Sequence, residues 1–241
     1  MPLIVRQFPC LSDNYGFLAR DEATGQVACV DTPEADKILA ELDTLDWRLT
    51  HILNTHWHPD HVGGNAQLKA ATGAQVIGPA EVTKAAPLDQ TVGDGDVVML
   101  GETRLDVLGT GGHTLGHIAY VDRESQIAFV GDTLFALGCG RLFEGTPEQM
   151  WSSLSKLAAL PDQTAVYCAH EYTAANARFA LSLEHSEALA TRAAEVFAAR
   201  ERGEPTVPTT IGLEKATNPF LLAGDAARFA AVRAAKDGFQ G

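Results

Sequence analysis

Three imidazoles and a carboxylate crowd into six consecutive positions of this chain, in the run Thr55-His56-Trp57-His58-Pro59-Asp60-His61 directly behind an apolar stretch ending at Leu53. In extended chain, residues two apart point the same way, so His56 and His58 face one cation while Asp60 and His61, around the bend, face a neighbouring one. Further ligands stand at matching places: His113 in GTGGHTLGH, Asp132 in FVGDTLF and His170 in VYCAHEY. Each follows a short apolar strand by a few residues, and a fold that uses them must bring those strand ends to one sheet edge.

Five imidazoles and two carboxylates exceed what one tetrahedral ion accepts, but they suit two divalent ions sharing a bridging carboxylate and a bridging water. Zinc leads as the ion, with iron or manganese also compatible with these donors. A water that ionises near pH 15.7 in bulk ionises near about 7 on zinc, so such a site supplies its own hydroxide nucleophile. Consistent with this, no GxSxG occurs in the chain. His117 reads as a structural or supporting residue, and His51 and His185 read as surface or structural. Asp31 in VDT reads as a turn-forming residue, with the orientation of a ligand histidine as its alternative role.

The 241 residues are enough for a main domain and a smaller appendage. Hydrophobic residues at 46% and charged residues at 20% rule out disorder as the main state. A net charge of −13 repels nucleic-acid backbones and anionic lipid surfaces, so no nucleic-acid or membrane partner is expected. No apolar run reaches membrane-span length, and MPLIVRQFPCLSDNYGF lacks the layout of a signal peptide, which points to a cytoplasmic protein, expected as a monomer. Cys10, Cys29, Cys139 and Cys168 form no CxxC pair and are expected to be reduced and mostly buried.

Strand-like runs fall at 26–30, 51–53, 75–77, 96–100, 104–108, 117–121, 126–130 and 165–168. A helical pattern over 64–72 stops at Gly73. A second helix starts with Thr146 as N-cap, Pro147 at its first position and Gln149 closing a capping box, and turns Met150, Leu154, Leu157 and Ala158 to one face. From Thr173 the composition shifts to 18 alanines in 69 residues with no convincing strand, which predicts a helical domain over 173–241 behind a metal-binding domain over 1–172. In that tail Leu189, Ala193, Val196 and Phe197 share a face that ends at Gly203, and a last helix capped by Asp225 is expected to carry Phe229 and Val232 inward.

The THxHxDH segment, followed by His, Asp and His each behind a strand, resembles the metallo-β-lactamase superfamily. That resemblance implies an α/β fold, an αββα sandwich of two mixed sheets flanked by helices, plus here a C-terminal helical domain. The runs DNYGFL, GDTLFALGCGRLFEGTPEQM, VYCAHEYT and NPFL further resemble glyoxalase II, the hydroxyacylglutathione hydrolases. The resemblance implies that His56, His58 and His113 bind one metal, Asp60, His61 and His170 the other, and Asp132 both. It implies hydrolysis of the thioester S-D-lactoylglutathione, the second step of methylglyoxal detoxification, with the metal-bridged hydroxide attacking beside Asp60 and Asp132. A mononuclear iron glutathione-persulfide dioxygenase on the same scaffold is the rival reading.

Glutathione carries two carboxylates, so a chain this acidic needs a local cationic clamp to hold it. By the resemblance, Arg141, Tyr172, Arg233 and Lys236 match positions that bind glutathione. Two departures stand out: Arg141 replaces a common Lys, and Phe143 stands where a Tyr is common, which removes one hydroxyl contact.

Overall fold

A computed structural model of the protein describes residues 3–183 and 186–240, so His185 lies outside the described residues. The chain divides into two compact units, one formed by Met1–Gly109 and Gly116–Gly131, the other by Thr110–Leu115 and Asp132–Gly241.

The first unit opens with two strands absent from the sequence expectations, β1 (Leu3–Cys10) and β2 (Asn14–Asp21), paired antiparallel. Polar residues and Pro9 break the apolar run of β1, and Gly16 interrupts β2, so neither showed a clean pattern. The sheet continues through β3 (Val27–Val30), helix α1 (Ala35–Leu45) and β4 (Leu49–Leu53). The short helix α2 (Pro59–Val62), helix α3 (Asn65–Thr72), β5 (Gln75–Gly78) and β6 (Gln90–Thr91) complete it in the order β1-β2-β3-β4-β5-β6. The strands from β3 to β6 run parallel, which requires crossovers; α1 and α3 supply two of them. Ile38 and Leu42 on α1 and Leu68 on α3 are buried beneath that sheet with Leu18, Cys29 and Ile52.

Four antiparallel strands form the unit's other layer: β7 (Val97–Leu100), β8 (Thr103–Gly109), β9 (Ile118–Asp122) and β10 (Ile127–Gly131). Every residue of β9 and β10 is buried, which explains their continuous apolar spelling. Phe17 of β2 meets Phe129 of β10 with ring centroids 5.9 Å apart, so the two layers share one core.

The second unit starts with a small hairpin, β11 (Leu134–Phe135) and β12 (Gly138–Cys139). Helix α4 (Pro147–Ala158) carries the expected capping box at Thr146 and Gln149 and buries Met150, Leu154 and Leu157, with Ala158 only half-buried. Then come β13 (Ala165–Cys168), α5 (Thr173–Leu183) and α6 (Glu187–Glu201), the last burying Leu189, Ala193 and Val196 as expected. Contrary to the strandless tail read from composition, β14 (Thr209–Thr210) pairs with β13. Helices α7 (Ile211–Thr217), α8 (Pro219–Leu222) and α9 (Ala226–Asp237) finish the chain.

Asp225 caps α9 as expected, but the helix turns Phe229 and Arg233 inward and leaves Val232 half-buried. Periodicity ranked the aliphatic residue above the charged one; the packing inverts that order because the Arg233 guanidinium finds polar partners and an aromatic face. The four cysteines are all buried and free. Among the described residues no helix is long and apolar enough to cross a membrane.

Candidate metal centre and substrate cavity

In the first unit, β4 ends at Leu53 and the chain turns at once into the histidine run. Asn54 and Thr55 are fully buried and fix its path: the Asn54 side-chain amide donates to the His61 carbonyl at 3.0 Å, and the Thr32 backbone amide donates to the same carbonyl at 2.9 Å. Pro59 starts α2, which turns Asp60 and His61 away from the extended His56 and His58.

Asp31, at the end of β3 with φ +55, does more than shape a turn. Its Oδ1 accepts from the Thr55 amide at 2.8 Å, and its Oδ2 accepts from the Thr55 hydroxyl at 2.7 Å and lies 2.8 Å from His61 Nδ1. The carboxylate therefore holds the Nδ1 proton of His61 and leaves Nε2 as the lone-pair nitrogen, 3.3 Å from Asp60 Oδ2. The orienting role, the alternative in the sequence reading, is the one the geometry adds. Because the Thr55 hydroxyl proton is committed to Asp31, its oxygen accepts from His56 Nδ1 at 3.0 Å, and His56 Nε2 becomes a lone-pair donor 3.0 Å from His58 Nδ1.

His117, 1% exposed, stacks on His56 with centroids 4.8 Å apart and packs as a supporting ring. Gly131, at φ +48, admits no side chain here, since a Cβ would stand 2.6 Å from the Thr55 hydroxyl and 2.7 Å from His117 Nε2. Asn14, which opens β2 in the DNYGFL run, donates to Asp60 Oδ2 at 3.0 Å. Its motif was visible in the sequence, but its partner, 46 residues away, was not.

The second unit gathers the remaining predicted residues. The His113 Nδ1–H donates to the Arg141 carbonyl at 2.8 Å, which turns Nε2 towards Asp132 Oδ2 at 3.3 Å. His170 Nε2 stands 3.4 Å from the same oxygen, so Asp132 lies between the two imidazoles. The His170 ring is stacked on Tyr172 at 4.7 Å with an interplanar angle of 3°, and Tyr172 leans edge-on against Phe135. His113, Asp132 and His170 are all at least nine-tenths buried.

A cavity of about 490 Å³ opens beside them, and His113, Asp132, Arg141, Phe143, Tyr172, Arg233 and Lys236 all line it. Phe143 is 63% exposed and lies edge-on to the His113 ring at 5.2 Å. The Arg233 guanidinium is buried: it donates to the Cys139 carbonyl at 3.0 Å, pairs with Asp237 at 2.7 Å and lies 5.1 Å from the Phe220 ring centre. Lys236 donates to the Ala175 carbonyl at 3.0 Å and lies over Phe179. Burial, and then the neighbouring Arg233, Arg178 and Arg141, pull its ammonium down to about 8.

The donor chemistry fits divalent metal ions. Asp31, His56 and His61 each bring one donor atom within 4.8 Å of the others, and hydrogen bonds fix which imidazole nitrogen carries the lone pair. With Asp31 occupied by Thr55 and His61, the atoms left to face a cation are those of His56, His58, Asp60 and His61. In the second unit the same is true of His113, Asp132 and His170.

Comparison with known proteins agrees along nearly the whole chain. The model of the metallo-beta-lactamase superfamily matches residues 29–170, and that of the hydroxyacylglutathione hydrolase C-terminus matches residues 171–239. A hydroxyacylglutathione hydrolase of Erythrobacter litoralis is 54% identical over 98% of this chain and 100% of its own. One of Maricaulis maris is 58% identical over 93% of this chain and 89% of its own. Among solved structures, ETHE1 from Myxococcus xanthus superposes with a TM-score of 0.75 at 31% identity, covering 96% of this chain and 90% of that one.

Proposed function

The chain belongs to the hydroxyacylglutathione hydrolases of the metallo-β-lactamase superfamily, and we propose that its substrate is S-D-lactoylglutathione, cleaved at the thioester to D-lactate and glutathione in the second step of methylglyoxal detoxification. Its architecture is that of the superfamily, two mixed sheets flanked by helices with a helical C-terminal region, and its chemistry is that of a metal-dependent hydrolase.

The observation that carries the substrate reading is the make-up of the second unit's cavity. One wall offers His113 and Asp132, groups suited to a metal, while Arg141, Arg233 and Lys236 supply cations on an otherwise acidic protein. A ligand that spans them needs a reactive carbonyl at one end and carboxylates at the other, as a glutathione thioester has.

We assign His56, His58 and His113 to one ion, Asp60, His61 and His170 to a second, and Asp132 to both, with zinc the ion expected and iron or manganese accepted by the same donors. Divalent ions bound there supply a water ionised near neutral pH and a Lewis acid for the carbonyl oxygen. The residues of the chain set up that chemistry. Asp31 and the Arg141 carbonyl lock the tautomers of His61 and His113, and Thr55 locks that of His56. Tyr172, stacked on His170, offers its hydroxyl to the peptide part of the substrate, a contact Phe143 cannot make. The departing thiol, with a pKa of about 8.5, leaves without a dedicated general acid.

Loss of thioester absorbance from S-D-lactoylglutathione, measured together with metal content, tests the reading. Rapid hydrolysis with two metals per chain is expected. A single iron with no hydrolysis, and oxygen uptake on glutathione persulfide, would replace it with the dioxygenase.

A further inference from the structure

The second unit holds a buried polar cluster that the reaction itself does not use. Glu214 on α7 is fully buried, as is Asn218 between α7 and α8, and Arg192 on α6 is 5% exposed. One Glu214 oxygen accepts from Arg192 and, at 2.5 Å, from the Thr209 hydroxyl; the other accepts from the Leu137 amide and the Asn218 side-chain amide, both at 2.9 Å. Arg192 also donates to the Thr217 hydroxyl at 2.5 Å.

The feature these groups hold is the hairpin turn between β11 and β12. Leu137 sits there at φ +57, a left-handed conformation that a branched residue enters only when its surroundings impose it. The Asn218 amide donates to the carbonyls of Phe135 at 3.2 Å and Gly138 at 3.0 Å, so α7 and α8 grip the turn from both its donor and acceptor sides. The hairpin in turn presents Phe135 and Cys139 to the cavity and is flanked in sequence by Asp132 and Arg141.

We infer that Glu214, Asn218 and Arg192 are positioning residues for substrate binding, acting through the Leu134–Cys139 hairpin to set the cavity wall. The inference rests on the glutathione reading above for the identity of the ligand, but its physical content is the order of the hairpin. One oxygen of this buried carboxylate serves both the hairpin and the asparagine that also binds it, so the order of the α7–α8 segment and the order of the hairpin are coupled.

Two variants test it. Asn218→Ser keeps a helix-capping oxygen and removes the amide that reaches the hairpin, while Glu214→Gln keeps the volume but replaces one of the two acceptor oxygens with a donor, so that the Leu137–Asn218 side and the Arg192–Thr209 side cannot both be satisfied. Leu42→Ala, in the core of the first unit, is the control for plain destabilisation. Hydrogen exchange of the Leu137 amide, binding of S-hexylglutathione by calorimetry, KM and kcat, and metals per chain are measured on all. The expected result for both hairpin variants is faster exchange at Leu137, with KM and the S-hexylglutathione Kd raised about tenfold. Their kcat should stay within about threefold of the parent with metal content unchanged, and Leu42→Ala should lower only the melting temperature.

Unchanged exchange at Leu137, or an unchanged KM and Kd in an Asn218→Ser protein that melts as early as Leu42→Ala, overturns the inference. Loss of kcat and metal at constant KM overturns it too, placing the hairpin's role at Asp132. If the parent protein neither hydrolyses the thioester nor binds S-hexylglutathione, the glutathione reading falls by itself, and exchange at Leu137 still decides whether these residues position the hairpin.

Discussion

The Oδ2 atom of Asp31 lies 2.8 Å from Nδ1 of His61, although Asp31 follows β3 and His61 lies in α2, 30 residues on. That bond fixes which nitrogen of His61 is left for a cation, and the same carboxylate fixes His56 through Thr55. Asp31→Asn is expected to weaken metal affinity about 10- to 100-fold, with activity restored by excess metal. Chelator competition measures the affinity; an unaltered value would remove Asp31 from the centre.

His58→Ala removes one donor from the pair that meets at 3.0 Å with His56. One metal per chain, instead of two, and loss of most turnover are expected. Elemental analysis beside the kinetic assay reads both.

Lys236, drawn down to about 8 chiefly by burial, is cationic at neutral pH and loses its charge as the pH rises through that value. The carboxylates of glutathione stay ionised throughout, so KM should climb above about pH 8 while kcat does not follow it. Lys236→Arg, whose charge persists to a pKa above about 12, should flatten the climb. A pH profile of KM for both proteins checks the sign.

At Gly140 a Cβ would come within 1.9 Å of the Asp132 carbonyl oxygen, a backbone atom that cannot swing aside. Gly140→Ala is expected to cost about 1–3 kcal/mol in stability and to shift Asp132. Urea unfolding gives the first quantity and metal content reports the second.

Cutting the chain after Tyr172 would take away Asn176, Glu214 and Asn218, each of which bonds the hairpin between Leu134 and Cys139. It would also uncover Leu137, packed with Ala177, Ala180 and Leu189. The truncated protein should aggregate or melt early, without the compact metal-binding core that a separable tail would leave behind. Circular dichroism on heating distinguishes the two.

What could be read from the sequence was what depends on near neighbours. The Thr146 capping box, the stop at Gly73 and the alternation of ligands through Thr55–His61 are all decided within a few positions. The partners that complete the candidate site are long-range: Asp31 to His61, Asn14 to Asp60 and Leu137 to Glu214 are 30, 46 and 77 residues apart. Nothing in the sequence singles out Arg192 and Glu214, because propensity and charge pattern carry no record of what packs over them. Arg233 was picked out by resemblance, yet its burial beside Phe220 depends on an aromatic face that no local period encodes.

The four cysteines take on a different meaning once the product is a free thiol. Burial pushes Cys10, Cys139 and Cys168 up to about 12 and Cys29 well above its ordinary value. At neutral pH almost none of that sulfur is thiolate, the form that attacks disulfides. Cys139 borders the cavity yet stays 5% exposed. Each turnover releases glutathione beside a wall whose sulfur is buried and held as the thiol, so thiol–disulfide exchange with glutathione is disfavoured there.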